Sequence, residues 1–135
     1  MRRRKRGREE QQECLAYLQQ RTQADLEAFG DAIADTITLA GTELAMTGDV
    51  TITGPGADLL TIDADNLSRI FNIDDNNSAS QRTVSIAGLT LTGGQTNDAG
   101  GAIRNWETLT VTESAISGNT ANGDGGGIFN FRGDL

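Results

Sequence analysis

Hydrophobic and small polar residues alternate in short runs along most of the chain after residue 35. Branched aliphatic side chains at every second position, with Thr or Ser between them, are typical of β-strands that bury one face. Glycine-rich segments separate the runs, and the only proline, Pro55, lies in one of them, so sharp turns are expected there. The pattern predicts strands over residues 36–39, 50–53, 60–63, 84–86, 89–92 and 109–112.

The second half of the chain repeats itself at a constant spacing. Residues 84–106 align without a gap on residues 109–131, and the Gly-Gly-Ala-Ile sequence at 100–103 returns as Gly-Gly-Gly-Ile at 125–128. A constant period in the range of about 20 to 50 residues indicates stacked supersecondary units. Because about three short strands occupy each repeat, no room remains for helices between them, and the chain must coil.

The predicted fold is an all-β, right-handed parallel β-helix, a solenoid of about four rungs. Each strand lies over its equivalent in the previous rung at ~4.8 Å, which makes Ile103 and Ile128 vertical neighbours and stacks Asn105 and Asn130 as an amide ladder. An antiparallel sandwich of short strands is the competing fold, but it does not explain the ungapped repeat. The predicted inward residues are Ile37, Leu39, Val50, Ile52, Leu60, Ile62, Val84, Ile86, Leu89, Leu91, Ile103, Leu109, Val111, Ile116 and Ile128.

The N-terminal segment, residues 1–30, follows a different pattern. Residues 1–12 are strongly charged and are predicted to be disordered, whereas residues 13–30 have the spacing of an amphipathic helix. We interpret this helix as a cap over the first rung, since exposed strand edges invite aggregation; a detached helix in a partner's groove is the alternative. The β-helix takes residues 31–135, and its last rung has no cap, so either the chain is truncated there or the edge pairs with another copy. The apolar face of the helix consists of Leu15, Leu18, Leu26 and Phe29.

The distribution of charged residues also differs between residues 1–30 and residues 31–135. Residues 1–30 carry seven Lys or Arg and five Asp or Glu, whereas residues 31–135 carry four and fourteen. An acidic body lacks the basic surface that nucleic acids and anionic lipids require, so neither is an expected partner. No signal peptide is readable, because acidic residues follow the basic run at 2–8. No apolar stretch approaches the ~20 residues of a membrane span.

The glycine-rich repeat resembles a known group of sequences. Gly-Gly-Ala-Ile at 100–103, its echo at 125–128, and Ile-Ser-Gly-Asn at 116–119 are similar to the Gly-Gly-Ala-Ile and Phe-x-x-Asn sequences of polymorphic outer membrane protein repeats, with Ile in place of Phe. Residues 35–39 and 50–58 also resemble the opening rungs of pectate-lyase-like proteins. This resemblance implies a β-helix from a bacterial exported or surface protein.

Acidic residues in turn-like stretches are the candidates for chemistry. A polysaccharide lyase or hydrolase would place such acids on one outward face, with a Lys, Arg or His to move a proton. The chain has no His and no Lys after Lys5, so we expect solvated turn acids and predict no catalytic residue. The candidates considered are Asp63, Asp65, Asp74 and Asp75, with Arg69 and Arg82 nearby.

Three other motifs suggest ligands. Residues 74–77 and 122–125 offer the oxygen ligands that Ca²⁺ prefers but lack the spacing of a known calcium loop, so neither a metal nor another cofactor is predicted. Trp106 could stack on a sugar ring, although its repeat partner, Phe131, favours packing between rungs. One candidate recognition loop is the tripeptide that integrins recognise, formed here by Arg132, Gly133 and Asp134.

The function expected from the resemblance is structural or adhesive. It implies an extracellular or cell-surface β-helix segment without catalytic activity of its own, with a cell-surface or polysaccharide ligand as partner. A fragment of a carbohydrate-active enzyme is the alternative, since one scaffold serves both classes.

Overall fold

A computed structural model describes residues 34–131 of the chain, and within them thirteen short strands coil into a parallel β-solenoid of about four turns. The charged segment 1–12, the predicted capping helix 13–30 and the Arg132-Gly133-Asp134 tripeptide lie outside the described residues. The strands are β1 (Asp35–Thr38), β2 (Leu44–Met46), β3 (Val50–Thr53), β4 (Leu60–Asp63), β5 (Phe71–Ile73), β6 (Thr83–Ala87), β7 (Thr90–Thr92), β8 (Gln95–Thr96), β9 (Ile103–Asn105), β10 (Thr108–Thr112), β11 (Ala115–Ile116), β12 (Thr120–Ala121) and β13 (Ile128–Asn130).

The strands form four ladders that run along the solenoid. All the strand pairs are parallel, and each joins one turn to the next: β1-β4-β7-β11, β2-β5-β9-β13, β3-β6-β10 and the short pair β8-β12. Ile103 lies opposite Ile128 in its ladder, which confirms the predicted vertical pair. The antiparallel sandwich is therefore wrong.

The number of residues between strands that pair in successive turns is constant only in part of the molecule. Leu109 pairs with Val84 and Ile128 with Ile103, both at the spacing that the sequence repeat predicts. In contrast, Val50 pairs with Val84, which is a wider interval along the chain. The additional residues lie in two corner loops, residues 54–59 between β3 and β4 and residues 74–82 between β5 and β6. The ladders therefore continue past corners of different length.

The core is a continuous column of aliphatic side chains. The predicted inward residues are confirmed, although Ile37, Val111, Ile116 and Ile128 are only partly buried against the column. The alternation did not reveal a second ladder of inward residues, because β2 reads Leu-Ala-Met and β5 reads Phe-Asn-Ile, which are three-residue strands with few β-branched residues. The core residues missed in and beside these two strands are Leu44, Met46, Ile70, Phe71 and Ile73.

The repeated glycines form the corner before β9 and β13. Gly100 and Gly125 have φ values of 75° and 69°, a left-handed conformation that glycine adopts without steric cost. A side chain at Gly101 would overlap the carbonyl oxygen of Gly126 in the next turn. The corner therefore requires glycine both for its backbone conformation and for the close approach of successive turns.

The predicted asparagine ladder is present beside this corner. Nδ2 of Asn105, which is fully buried, donates to Oδ1 of Asn130 at 2.7 Å and to the Glu107 carbonyl oxygen at 2.8 Å. A second pair, Asn122 and Asn97, is joined at 2.9 Å. The amide of Asn105 thus satisfies its hydrogen-bonding groups inside the protein, whereas Asn97 and Asn122 form their bond at the exposed surface.

Candidate functional site

Two acids of the loop of residues 74–82, Asp74 and Asp75, form a group of three close carboxylates with Glu107. Glu107, which lies between β9 and β10 at the equivalent corner of the next turn, is only 2% exposed. Its Oε2 accepts a hydrogen bond from the Asp75 amide at 2.8 Å, and its Oε1 accepts one from the Arg82 amide at 2.9 Å. Glu107 therefore holds both ends of the loop against the next turn. We call Asp74, Asp75, Ser80, Arg82 and Glu107 the loop cluster.

Asp75 organises the interior of this loop. Its Oδ2 accepts hydrogen bonds from Ser80 Oγ at 2.8 Å and from Arg82 Nε at 3.0 Å, and its Oδ1 accepts one from the Asn77 amide at 2.9 Å. These donors favour the carboxylate, so they lower the pKa of Asp75 below its ordinary value; the Ser80 hydroxyl contributes most, and partial burial opposes them. Asp75 is accordingly an ionised anchor at neutral pH.

Three carboxylates of the loop cluster approach one another. Oxygens of Asp74, Asp75 and Glu107 all lie within 4.8 Å, a separation that a hard cation with oxygen ligands can bridge. Both oxygens of Asp75 and both of Glu107 already accept hydrogen bonds from the chain. Hydrogen bonds from donors in the loop therefore explain most of the close approach of the three carboxylates.

The other predicted acids lie elsewhere. Asp63 ends β4, on a different ladder from the strand that precedes Asp74 and Asp75, and its Oδ1 accepts the amide of Asp65 at 2.8 Å. Neither Asp63 nor Asp65 belongs to the group of three close carboxylates. The structure therefore divides the four candidate acids between two places.

Arg69 is a buried structural cation. It is 6% exposed, and its guanidinium donates to Glu43 Oε1 at 2.6 Å and to the carbonyl oxygens of Ala99 and Gly100 at 2.9 Å. A weaker bond of 3.3 Å reaches the Thr96 hydroxyl. Glu43 precedes β2, Arg69 precedes β5, and the remaining acceptors precede β9, so this one side chain ties three successive turns together.

Arg104 makes a similar link on the outer face of the same ladder. Its Nε donates to Asn72 Oδ1 at 3.2 Å, in the turn before, and its Nη1 donates to Asp98 Oδ2 at 2.8 Å. Asn72 and Arg104 are register partners of β5 and β9. The guanidinium also lies 5.9 Å from the ring centroid of Trp106, within range of a cation–π interaction.

Aromatic rings continue this face onto the last turn. Trp106 and Phe131 meet edge to face with centroids 4.5 Å apart, and Phe129 stacks on Phe131 at 5.9 Å. This contact confirms the packing interpretation of Trp106. Trp106 Nε1 is buried without a hydrogen-bond partner, and Phe131 is 42% exposed. We call Trp106, Phe129 and Phe131 the aromatic patch.

The contributions of Glu107, Glu43 and Asp98 were not foreseen from the sequence. Each of them acts on a residue in a different turn, Glu107 on Asp75 and both Glu43 and Asp98 on Arg69. A bonding partner in a different turn can be inferred from a sequence only when the number of residues in each corner is known. The regular repeat does not cover the first two turns, where Glu43 and Arg69 lie.

Comparison with protein-family models, with curated proteins and with solved structures finds no match to this chain. No helix in the part of the chain that the structure describes has the length and apolar character needed to cross a membrane.

Proposed function

We propose that this chain is a structural or adhesive β-solenoid segment of an exported or cell-surface protein, without catalytic activity of its own. The observation that carries the proposal is that the buried charges of Arg69 and Glu107, and the partly buried charge of Arg104, join successive turns. Arg69, Arg104 and Glu107 each bond groups of a neighbouring turn, as expected of side chains that hold a shaft in register. A catalytic group would instead be aimed at an open cleft.

The proposed coil is right-handed. Parallel strands joined by a crossover connection take this hand in about 98% of cases. The resemblance to polymorphic outer membrane protein repeats and to pectate-lyase-like proteins favours the same hand and an extracellular location. The observation that supports the resemblance is the Gly-Gly corner, where Gly100 and Gly125 take equivalent left-handed conformations in successive turns.

Residues 13–30 are proposed to cover the first turn. Leu44, Met46 and Ile52 are at most 1% exposed although they belong to that turn, and end turns of a solenoid ordinarily need a cap. The leucine spacing that predicts an amphipathic helix would supply the apolar surface. A cap of this kind keeps the shaft soluble.

The aromatic patch is the proposed adhesive surface. An exposed ring and a nearby arginine offer a sugar both a stacking face and hydrogen-bonding groups. Phe131 is the exposed ring, and Arg104 lies beside Trp106, the ring that Phe131 contacts. The Arg132-Gly133-Asp134 tripeptide follows this patch directly in the sequence. A cell-surface polysaccharide is therefore the proposed ligand class.

One experiment tests binding and catalysis together. The full chain is incubated with immobilised neutral and acidic polysaccharides, and both retention and release of unsaturated or reducing ends are measured. We expect retention that Phe131→Ala weakens by about tenfold, with no release of ends. Unaltered retention by Phe131→Ala would remove the aromatic patch from the proposal.

The alternative function is a carbohydrate-active enzyme fragment. The specific observation in its favour is the approach of three carboxylates within 4.8 Å in the loop cluster. Release of new chain ends that Asp74→Ala or Asp63→Ala abolishes, while the exposed loop variant Asp58→Ala does not, would establish this alternative and sink the structural proposal.

A further inference from the structure

We propose that Asn122 is a site of spontaneous deamidation, and that opening of the short β8–β12 pair controls its rate. Asn122 is the only asparagine of the chain that is followed by glycine. The reaction requires no enzyme and no ligand other than water, so the inference is independent of the proposed adhesive role.

The chemistry involves Asn122, Gly123 and one water molecule. The Gly123 amide nitrogen loses its proton and attacks the side-chain carbonyl carbon of Asn122. The bond from that carbon to the side-chain nitrogen breaks, and ammonia leaves. The resulting succinimide ring takes up one water molecule and opens to aspartate or to isoaspartate. Glycine carries no side chain that would obstruct closure of the ring.

The stacking of turns explains why these two residues occupy this corner. Nδ2 of Asn122 donates to Oδ1 of Asn97, the equivalent residue of the turn before, at 2.9 Å. A Cβ atom at position 123 would lie 2.9 Å from the carbonyl oxygen of Asp98, so the close approach of the two turns favours glycine there. The fold therefore favours both members of a reactive pair for reasons unrelated to their reactivity.

The corner is accessible to water. Asn122 and Gly123 are both exposed. Asn97 is exposed as well, although the next turn lies beside it and bonds to its side chain. The exposure of this corner therefore does not require that Asn122 lies in the last described turn.

The reacting groups are held in place in the folded chain. The Gly123 amide donates to the Asp98 carbonyl oxygen at 2.8 Å, and the Asn122 amide donates to the Thr96 carbonyl oxygen at 3.1 Å. The side-chain bond to Asn97 is the third contact. Ring closure therefore requires that residues 122 and 123 first separate from the turn before.

The β8–β12 ladder is the shortest of the four. Each of its strands has two residues, and Gln95 and Thr120 at their starts are exposed. Segments with few buried contacts and exposed hydrogen bonds open locally at a lower free energy than the whole protein. When opening and closing are fast relative to a covalent step, the rate of that step follows the population of the open form.

Deamidation changes the corner in two ways. It replaces a neutral amide with a carboxylate two residues before Asp124. Isoaspartate also adds one methylene group to the main chain between residues 122 and 123, which displaces the Gly123 amide from the Asp98 carbonyl oxygen. The modified corner therefore loses a bond to the turn before.

The test is peptide mass spectrometry of the full chain, incubated either folded in buffer or unfolded in guanidinium chloride at the same pH and temperature. In the unfolded chain, we expect Asn122 to be converted before Asn97, which is followed by Asp98. In the folded chain, the conversion of Asn122 should be at least about tenfold slower than in the unfolded chain, because the corner must open first.

Asn97→Ala tests the control by the neighbouring turn. It removes the side-chain partner of Asn122 at an exposed position, so it should raise the folded-state rate by about two- to tenfold and leave the unfolded-state rate unchanged. The matched variant Asn77→Ala, at an exposed position of the loop 74–82, should change neither rate. Equal rates in the folded and unfolded chains, earlier conversion of Asn97 in the unfolded chain, or a folded-state rate insensitive to Asn97→Ala would each overturn the proposal.

Discussion

The first two turns and the last two turns of the solenoid use the same ladders but different means of staying in register. The last two share one regular period, and like residues pair: Ile103 with Ile128 and Asn105 with Asn130. The earlier turns carry the loops 54–59 and 74–82 and are joined by ionic contacts that occur once, such as that of Arg69 with Glu43. The regular turns are therefore kept in register by the pairing of like residues. The irregular turns are kept in register by buried ionic contacts that each occur once.

The largest expected effect falls on the irregular turns. Arg69→Ala removes the donor that bonds the Glu43 carboxylate and the carbonyl oxygens of Ala99 and Gly100. Because an unsatisfied buried acceptor costs about 1–3 kcal/mol, the variant should lower the free energy of unfolding by about 3 kcal/mol. Arg104→Ala, at a side chain that is 25% exposed, should cost under about 1 kcal/mol. Urea unfolding of the full chain measures the free energy of unfolding of both variants. Equal losses of that free energy in Arg69→Ala and Arg104→Ala would contradict the distinction between the two regions.

A similar or smaller effect is expected inside the regular turns. Ile103 and Ile128 occupy the same place in successive turns, but Ile103 is fully buried and Ile128 only partly. Ile103→Ala should therefore cost about 3 kcal/mol and Ile128→Ala about half of that or less, since the cost grows with the cavity left behind. Thermal unfolding under identical conditions compares them.

The smallest effect concerns the pH dependence of the loop cluster. The pKa of Asp75 is lowered from its ordinary value of 3.8 by donors that exist only in the folded state. The unfolded chain therefore binds this proton more readily, so the stabilisation is present above about pH 4 and is lost as pH falls through the lower, folded-state pKa. Asp75→Asn should flatten the acid limb of a plot of unfolding free energy against pH.

The matched control for that measurement is Asp58→Asn, an exposed loop acid for which the structure shows no comparable set of donors. Its acid limb should overlay that of the parent chain. A parent profile that stays flat below pH 4, or one in which Asp58→Asn has the larger influence, would be incompatible with Asp75 as the titrating anchor.

Prediction from sequence succeeded where one short pattern is used many times. Alternation in Val, Ile, Leu and Thr located the ladders of β1 and β3, because inward positions of a strand recur every second residue. The same reasoning missed β2 and β5, whose three residues are too few to display an alternation. Asp74 and Asp75 were correctly seen as turn residues, but their anchor, Glu107, belongs to the next turn and leaves no local trace in the sequence.

By itself the sequence determined that the chain coils and that its turns stack like on like, because equal apolar spacing in successive repeats can be buried throughout only when equivalent strands lie over one another. Only the tertiary structure decided which polar groups meet. Corner loops of unequal length set the offset between turns, so the partners of Arg69 and Glu107 depend on how many residues each corner takes up. The number of residues in each corner is decided by the folded structure. It determines which groups of a neighbouring turn come within hydrogen-bonding distance of a buried charge.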